Sequence, residues 1–220
     1  MTFAPSPIPA TEPPHDCPRC PRLVAARELL RRDNPGWWNA PVPAFGDPAA
    51  WLAIVGVAPA LHGANRTGRP FTGDHSGALL YATLAKLGLA TGSFANRTGD
   101  DLALHGAIIL DAVKCLRPAN KPTPEEVRTC RPFLDGQLAA LTGVRIVVAL
   151  GQVAHQSAVK VLGGRLPKAQ FAPGAEHRMP DGRILIDGHQ IARHNQDAGV
   201  LTEAAFEAIF ARAVALRQTS

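Results

Sequence analysis

Four short apolar runs punctuate the chain, at 51–56 (WLAIVG), 106–113 (GAIILDAV), 145–150 (RIVVAL) and 183–187 (RILID). Each has strand length and ends in glycine or polar residues, the pattern of a strand buried on both faces. Segments with helical spacing lie between and after them, at 76–89, 123–141, 153–162 and 201–216. A further helix follows a cysteine turn within 16–32. The segment 123–141 carries the strongest start signal, Thr-Pro-Glu-Glu. Threonine caps, proline suits the first helical position, and glutamates favour the positive end of the helix dipole. Ser76 is a candidate cap for the helix that follows it.

Strands alternating with helices predict a mostly parallel sheet with helices on both faces. The expected architecture is a three-layer α/β/α fold with a four-stranded sheet. Residues 1–16, rich in proline, read as a disordered tail, and 17–220 as a single domain. Residues 34–50, rich in proline and glycine around Trp37 and Trp38, read as an irregular surface segment. In such a sheet, the loops at 56–75, 114–122, 151–152 and 188–200 all leave C-terminal strand ends and converge on one site.

The first of these loops is the most informative. Residues 55–77 read VGVAPALHGANRTGRPFTGDHSG and contain five glycines. Glycine at this density lets backbone approach a ligand closely. The stretch lacks the lysine-serine/threonine ending of a phosphate-binding P-loop.

Composition adds three constraints. No run of about 18 apolar residues exists, so no membrane-spanning helix is expected. The first fifteen residues lack the charged and apolar regions of a secretory signal, so a cytoplasmic protein is the default, and a monomer is expected. The net charge of +5 and pI near 9.4 favour a polyanionic partner. The N-terminal fifty residues balance five basic against five acidic side chains, so a basic face must be assembled by folding.

The four cysteines are Cys17, Cys20, Cys115 and Cys130. A C-x2-C pair and a second pair far along the chain must be brought together by the fold, an arrangement that favours a metal centre over disulfides in a cytosolic protein. Four thiolates suit structural zinc or an iron–sulfur cluster, and spacing does not separate the two.

The motifs CPRCPRL, GVAPALHGANRTGRPFTGDHSG, VKCLRPANKPTPEEVRTCRPFL and VVALGQVA resemble those of the family 5 (type b) iron–sulfur uracil-DNA glycosylases, from Cys17 to about Phe210. The resemblance implies the α/β/α glycosylase fold. It also implies a [4Fe–4S] cluster on Cys17, Cys20, Cys115 and Cys130, and excision of uracil from single- or double-stranded DNA, with hypoxanthine and xanthine as further candidates. Asp74 matches the aspartate thought to position the attacking water; its plainer role is an Asx-turn before the next helix. Phe71 would stack on the extruded base, beside backbone at Gly56, Val57 and Ala58. Asn120 matches an asparagine that contacts base or sugar. Asp111 stands where related branches have a base-reading asparagine.

One motif departs from the family. Its His-Pro-Ser step falls on Gln190, Ile191 and Ala192 here, with Arg193 retained, so a glutamine holds the position of the base-directed histidine. His189, one residue earlier, is the candidate replacement, and His194 a weaker one. The family's Phe-Gly-His-Gly step is FAPG at 171–174. Ile191 is expected as an apolar wedge in the minor groove, with Arg66, Arg69 and Arg193 contacting DNA. The altered loop motivates an alternative, a damage-binding module that keeps the fold and cluster without catalysis. A zinc-stapled α/β protein unrelated to DNA is a third reading.

Overall fold

The computed structural model describes residues 11–191, 195, 199 and 201–218. The expected strands form in order: β2 (Leu52–Gly56), β5 (Ala107–Asp111), β6 (Ile146–Leu150) and β8 (Ile184–Gly188). They lie parallel in the spatial order β5-β2-β6-β8. Two short edge strands complete a six-stranded sheet rather than a four-stranded one. β1 (Phe45–Gly46) runs antiparallel to β5, and β7 (Glu176–Arg178) antiparallel to β8. β1 is too short and β7 too polar to register as an apolar run; they form because a neighbouring strand offers an unpaired edge. A separate two-stranded ribbon joins β3 (Ala90–Thr91) to β4 (Ala103–Leu104).

Side-chain alternation divides the sheet's two faces. Leu52, Ile54, Ile109, Ile146 and Val148 face one core, shared with Leu80, Leu84, Phe206 and Phe210 of α3 (Ser76–Lys86) and α6 (Glu203–Gln218). Ala53, Val55, Leu110, Val147 and Leu185 face the other. There they meet Leu134 and Leu138 of α4 (Pro124–Ala140) and Ala154 and Ala158 of α5 (Gln152–Val161). The result is three layers, α/β/α. α1 (Pro21–Asp33) packs through Leu23 against Val113 and Cys130 in a smaller cluster. A short α2 (Ala64–Thr67) lies within the glycine loop. No described helix is long and apolar enough to cross a membrane.

Residues 11–16 depart from the expected tail. Glu12 Oε1 accepts from the Ala44 amide at 2.8 Å and from the side chain of Gln137, an amide buried inside α4 that would otherwise lack a partner. Residues 1–10 lie outside the described residues.

The start of α4 follows its sequence signal. Thr123 Oγ1 accepts from the Glu126 amide at 3.2 Å, and the Glu126 carboxylate accepts from the Thr123 amide at 2.7 Å, forming a capping box. Arg22 clamps the same carboxylate with two bonds of 2.7 Å, tying α1 to the cap. Thr123→Ala is therefore expected to lower unfolding stability by about 1 kcal/mol, read from the shift in urea midpoint at unchanged slope.

Candidate active site

The pairing of β2 with β5 sets the floor of the site. Their register places Gly56 beside Asp111 at the C-terminal strand ends. Two further bonds, from the Ala112 amide to the Gly56 carbonyl and from the Val113 amide to the Val57 carbonyl, both 3.0 Å, carry the pairing into the loops. A Cβ at Gly56 would collide with Asp111 Oδ1 and lie 3.1 Å from Phe71 Cζ, so only glycine lets carboxylate and ring close over this backbone.

Above the floor is a cavity of about 370 Å³, a volume suited to a small ligand. Three of the four loops that follow the parallel strands converge on it, while β6 reaches it only through its last residue. The first contributes Val57, Ala58, Phe71 and Asp74; the second, Asp111 and Arg117; the last, Gln190 and Ile191. Leu150 closes the side nearest β6.

Asp74 forms the expected Asx-turn and also lines the cavity. Its Oδ1 accepts from the Ser76 amide at 2.9 Å and from the Ser76 hydroxyl, an Asx-turn that starts α3. Ser76 is thus the first helical residue, and the capping oxygen comes from Asp74 rather than from Ser76. Oδ2 lies over Gly63, where a Cβ would collide with it. The turn fixes the carboxylate in the cavity wall.

Phe71 has a positive φ of 50°, a sparsely populated conformation for an aromatic residue. Packing around its own backbone holds it: Tyr81 Oη donates to the Pro70 carbonyl at 2.6 Å, and the Phe71 carbonyl rests directly on Gly77, which has no room for a Cβ. Strain held by surrounding structure at a cavity is common where a side chain is aimed for function.

Arg69 does not face DNA. It is 7 % exposed, and its guanidinium donates to both Asp100 oxygens, at 2.6 and 2.8 Å, to Thr72 Oγ1 at 2.8 Å and to the Arg97 carbonyl at 2.9 Å. The rings of Phe45, Tyr81 and Phe94 surround it. Arg69 in turn holds the Asp100 carboxyl below its ordinary range. A buried ion pair with this many internal bonds braces the glycine loop and leaves no guanidinium edge for a phosphate. Arg66, by contrast, is exposed, with its fork fixed on the His62 and Gly73 carbonyls at 2.9 Å each.

Of the two candidates in the altered loop, Gln190 is the one that lines the cavity. Gln190 lines the cavity, its Cβ seated against Gly151, where φ is +99°. Asn195 Nδ2 donates to the Gln190 carbonyl at 2.9 Å. His189 points into a separate groove beside Pro173, Ile209 and Arg212. Successive residues at a strand end project to opposite sides, so only one of the two can enter the cavity. Ile191 is 7 % exposed and packs into the core next to α6 as well as the cavity wall, so it is not the protruding wedge expected from its position. Arg193 and His194 lie outside the described residues. Asn120 ends a 3-10 turn, Pro118–Asn120, and its side chain is likewise outside the described set.

Two features escaped the sequence reading. Arg117 lines the cavity, where burial works against its charge while the Asp111 and Asp74 carboxylates favour it. A second cluster joins β8 to the FAPG loop. The buried Asp187 accepts from His155 Nδ1 at 2.6 Å, His177 Nε2 at 2.9 Å and the Ala172 amide at 3.1 Å. His155 Nε2 meets the Ala169 carbonyl at 3.0 Å. These bonds anchor residues 169–172 and the strand end that leads to Gln190. Two histidines distant in sequence gave no local signal of it.

All four cysteines are free thiols and line one pocket between α1, α4 and the loop after β5. The Lys114 amide donates to Cys130 Sγ at 3.3 Å. Burial pushes the Cys20 thiol up to about 11 and Cys115 up to about 12, and neighbouring sulfurs reinforce both shifts. A multivalent cation bound among the four sulfurs would offset that burial by favouring the thiolate form.

Residues 43–210 match the uracil DNA glycosylase superfamily. A protein of Thermus thermophilus named type-5 uracil-DNA glycosylase is 44 % identical over 196 residues, which cover 86 % of this chain and 89 % of the relative. A protein of the same name from Pyrobaculum aerophilum is 38 % identical over 204 residues, covering 91 % and 88 %. Another, from Mycobacterium bovis, is 39 % identical over 206 residues, covering 90 % and 76 %. The chain belongs to the uracil-DNA glycosylase superfamily and, within it, to the type-5 family.

The cavity's charge balance makes a stability prediction. Asp111 is 4 % exposed, and burial raises its pKa from 3.8 to about 6, against the opposing pull of Lys114 and Arg117 and with reinforcement from Glu12. A carboxyl raised in the folded state favours folding at low pH, and this contribution is lost as pH rises from 3.8 through about 6. Asp111→Asn removes the dependence. Across that window the variant is expected to gain on the parent protein by about 3 kcal/mol, measured by urea unfolding of both at each pH.

Proposed function

We propose that this cavity removes uracil from DNA by hydrolysis of the N-glycosidic bond, as a monofunctional glycosylase of base-excision repair. The observation that carries the reading is the meeting of Phe71, Asp74 and Gln190 around one base-sized cavity, in a chain of the type-5 family. The damaged nucleotide leaves the stack, since its glycosidic bond is out of reach inside a duplex. Phe71 offers its ring face to the base. Backbone at Val57 and Ala58 lines the slot that Gly56 keeps open. Asp74, with Oδ1 committed to the turn, presents Oδ2 to a water next to C1′ and stabilises the positive charge that grows on the sugar. The Gln190 amide donates to the base from the opposite wall, a neutral replacement for the family's histidine. Asp111 accepts the uracil N3–H. Its carboxylate disfavours the adjacent O4; hypoxanthine and xanthine, which present the same N–H beside a carbonyl, are further candidate substrates. Arg66 contacts the phosphate backbone beside the cavity, with Arg193 and Asn120 as further contacts to DNA and to the base or sugar.

The same proposal assigns a [4Fe–4S] cluster to Cys17, Cys20, Cys115 and Cys130. When bound, the cluster supplies cross-linking of α1, α4 and the loop after β5, with the Lys114 amide bonded to one of its ligands. Cys115→Ser is expected to bleach the brown colour and lower the thermal midpoint of the purified protein, measured together with iron and zinc content. Stoichiometric zinc with no iron in the parent protein would replace the cluster by a structural zinc site.

Single-turnover release of uracil from an oligonucleotide tests the activity. Asp74→Ala and Gln190→Ala are each expected to slow release by ~10²–10³-fold with little change in binding to abasic DNA. Purified parent protein, metal-replete, that binds such DNA but releases no deaminated base would make the chain a damage-binding module instead.

A further inference from the structure

Excision separates charge inside a closed space. The C1′–N1 bond breaks with both electrons retained by N1, water oxygen bonds to C1′, and the water proton passes to the Asp74 carboxylate. The sugar passes through a positive state and the base departs as an anion. Asp74 and Asp111 suit the first change and oppose the second. Gln190 supplies a dipole but no charge. Among the described residues that line the cavity, Arg117 alone carries a permanent positive charge.

Its placement is fixed from both sides. The loop that bears it leaves β5 through the two bonds to Gly56 and Val57. The Lys114 carbonyl accepts from the Val42 amide at 2.7 Å, and the Lys114 amide donates to Cys130. Pro118 then begins the 3-10 turn. Half-buried, Arg117 shares the cavity wall with both carboxylates, where charges are screened less than in bulk water. A cation held in place before the reaction needs no reorganisation as the anion forms.

We propose that Arg117 stabilises the departing base, supplying from one wall the electrostatic help that a neutral glutamine on the other cannot give in full. The proposal rests on the glycosylase reading above. The competing role for Arg117 is purely architectural, holding two like-charged carboxylates together.

Leaving-group dependence separates the two roles. Single-turnover release is measured from otherwise identical oligonucleotides carrying uracil or 5-fluorouracil, whose fluorine stabilises the departing anion. With Arg117→Gln, release of uracil is expected to slow by ~10²-fold, and release of 5-fluorouracil by no more than ~10-fold. Arg117→Lys, which keeps a point charge but loses the planar fork, should show the same ordering at smaller size. It also decides the matter if the glutamine variant fails to fold. Equal slowing of both bases in either folded variant, or no slowing, overturns the proposal and leaves the glycosylase reading intact. A parent protein that releases neither base overturns both.

Discussion

The lateral pairing of β2 with β5 is the constraint on which the rest of this molecule depends. It sets Gly56 against Asp111 and runs two residues beyond the strands, so the loops that follow begin their courses already locked together. Everything that gives the cavity its chemistry is reached through those loops. The first carries Phe71 and Asp74 before it enters α3. The second carries Asp111, Cys115 and Arg117 within seven residues. A slip of one position in this register would turn Asp111 to the other face of the sheet and place a side chain where Gly56 leaves space.

Because the second loop serves both the cavity and the cysteine pocket, the two are mechanically one unit. Cys115 lies two residues from Arg117, and the Lys114 amide bonds to Cys130 on α4. α1 joins through Cys17 and Cys20, and again through the Arg22–Glu126 clamp at the start of α4. Any group that tied these four sulfurs together would hold the loop that delivers the cavity's arginine, with no chemistry required of the group itself.

Polar groups in the glycine loop divide into those spent on structure and those left for function. Arg69 is wholly committed inward, to Asp100, Thr72 and the Arg97 carbonyl, and this inner brace lets Phe71 keep a strained backbone. Asp74 does two things at once: Oδ1 accepts from the Ser76 amide at the start of α3, and the carboxylate held by that turn lines the cavity. On the far side, the buried Asp187 with His155 and His177 does for the FAPG loop what Arg69 does for the glycine loop.

The four parallel strands, the helices between them and the capped start of α4 were legible in the sequence. Each is specified by local patterning: runs apolar on both faces, helical spacing, and Thr123 followed by Pro124, Glu125 and Glu126. The grouping of the four cysteines and the convergence of the loops were legible too, because parallel topology sends every such loop to one edge. What patterning could not contain is direction and partnership. Gln190 and His189 are adjacent, and only the end of β8 decides that glutamine enters the cavity while histidine turns away. Arg69 and Arg66 look alike in the motif, yet Asp100, distant along the chain, draws one inward and leaves the other exposed. The sequence by itself determined the elements, their order and the end of the sheet where ligands bind, since those follow from neighbouring residues. Tertiary structure decided which charges face the cavity, because a buried charge is settled by the partner it finds across the fold.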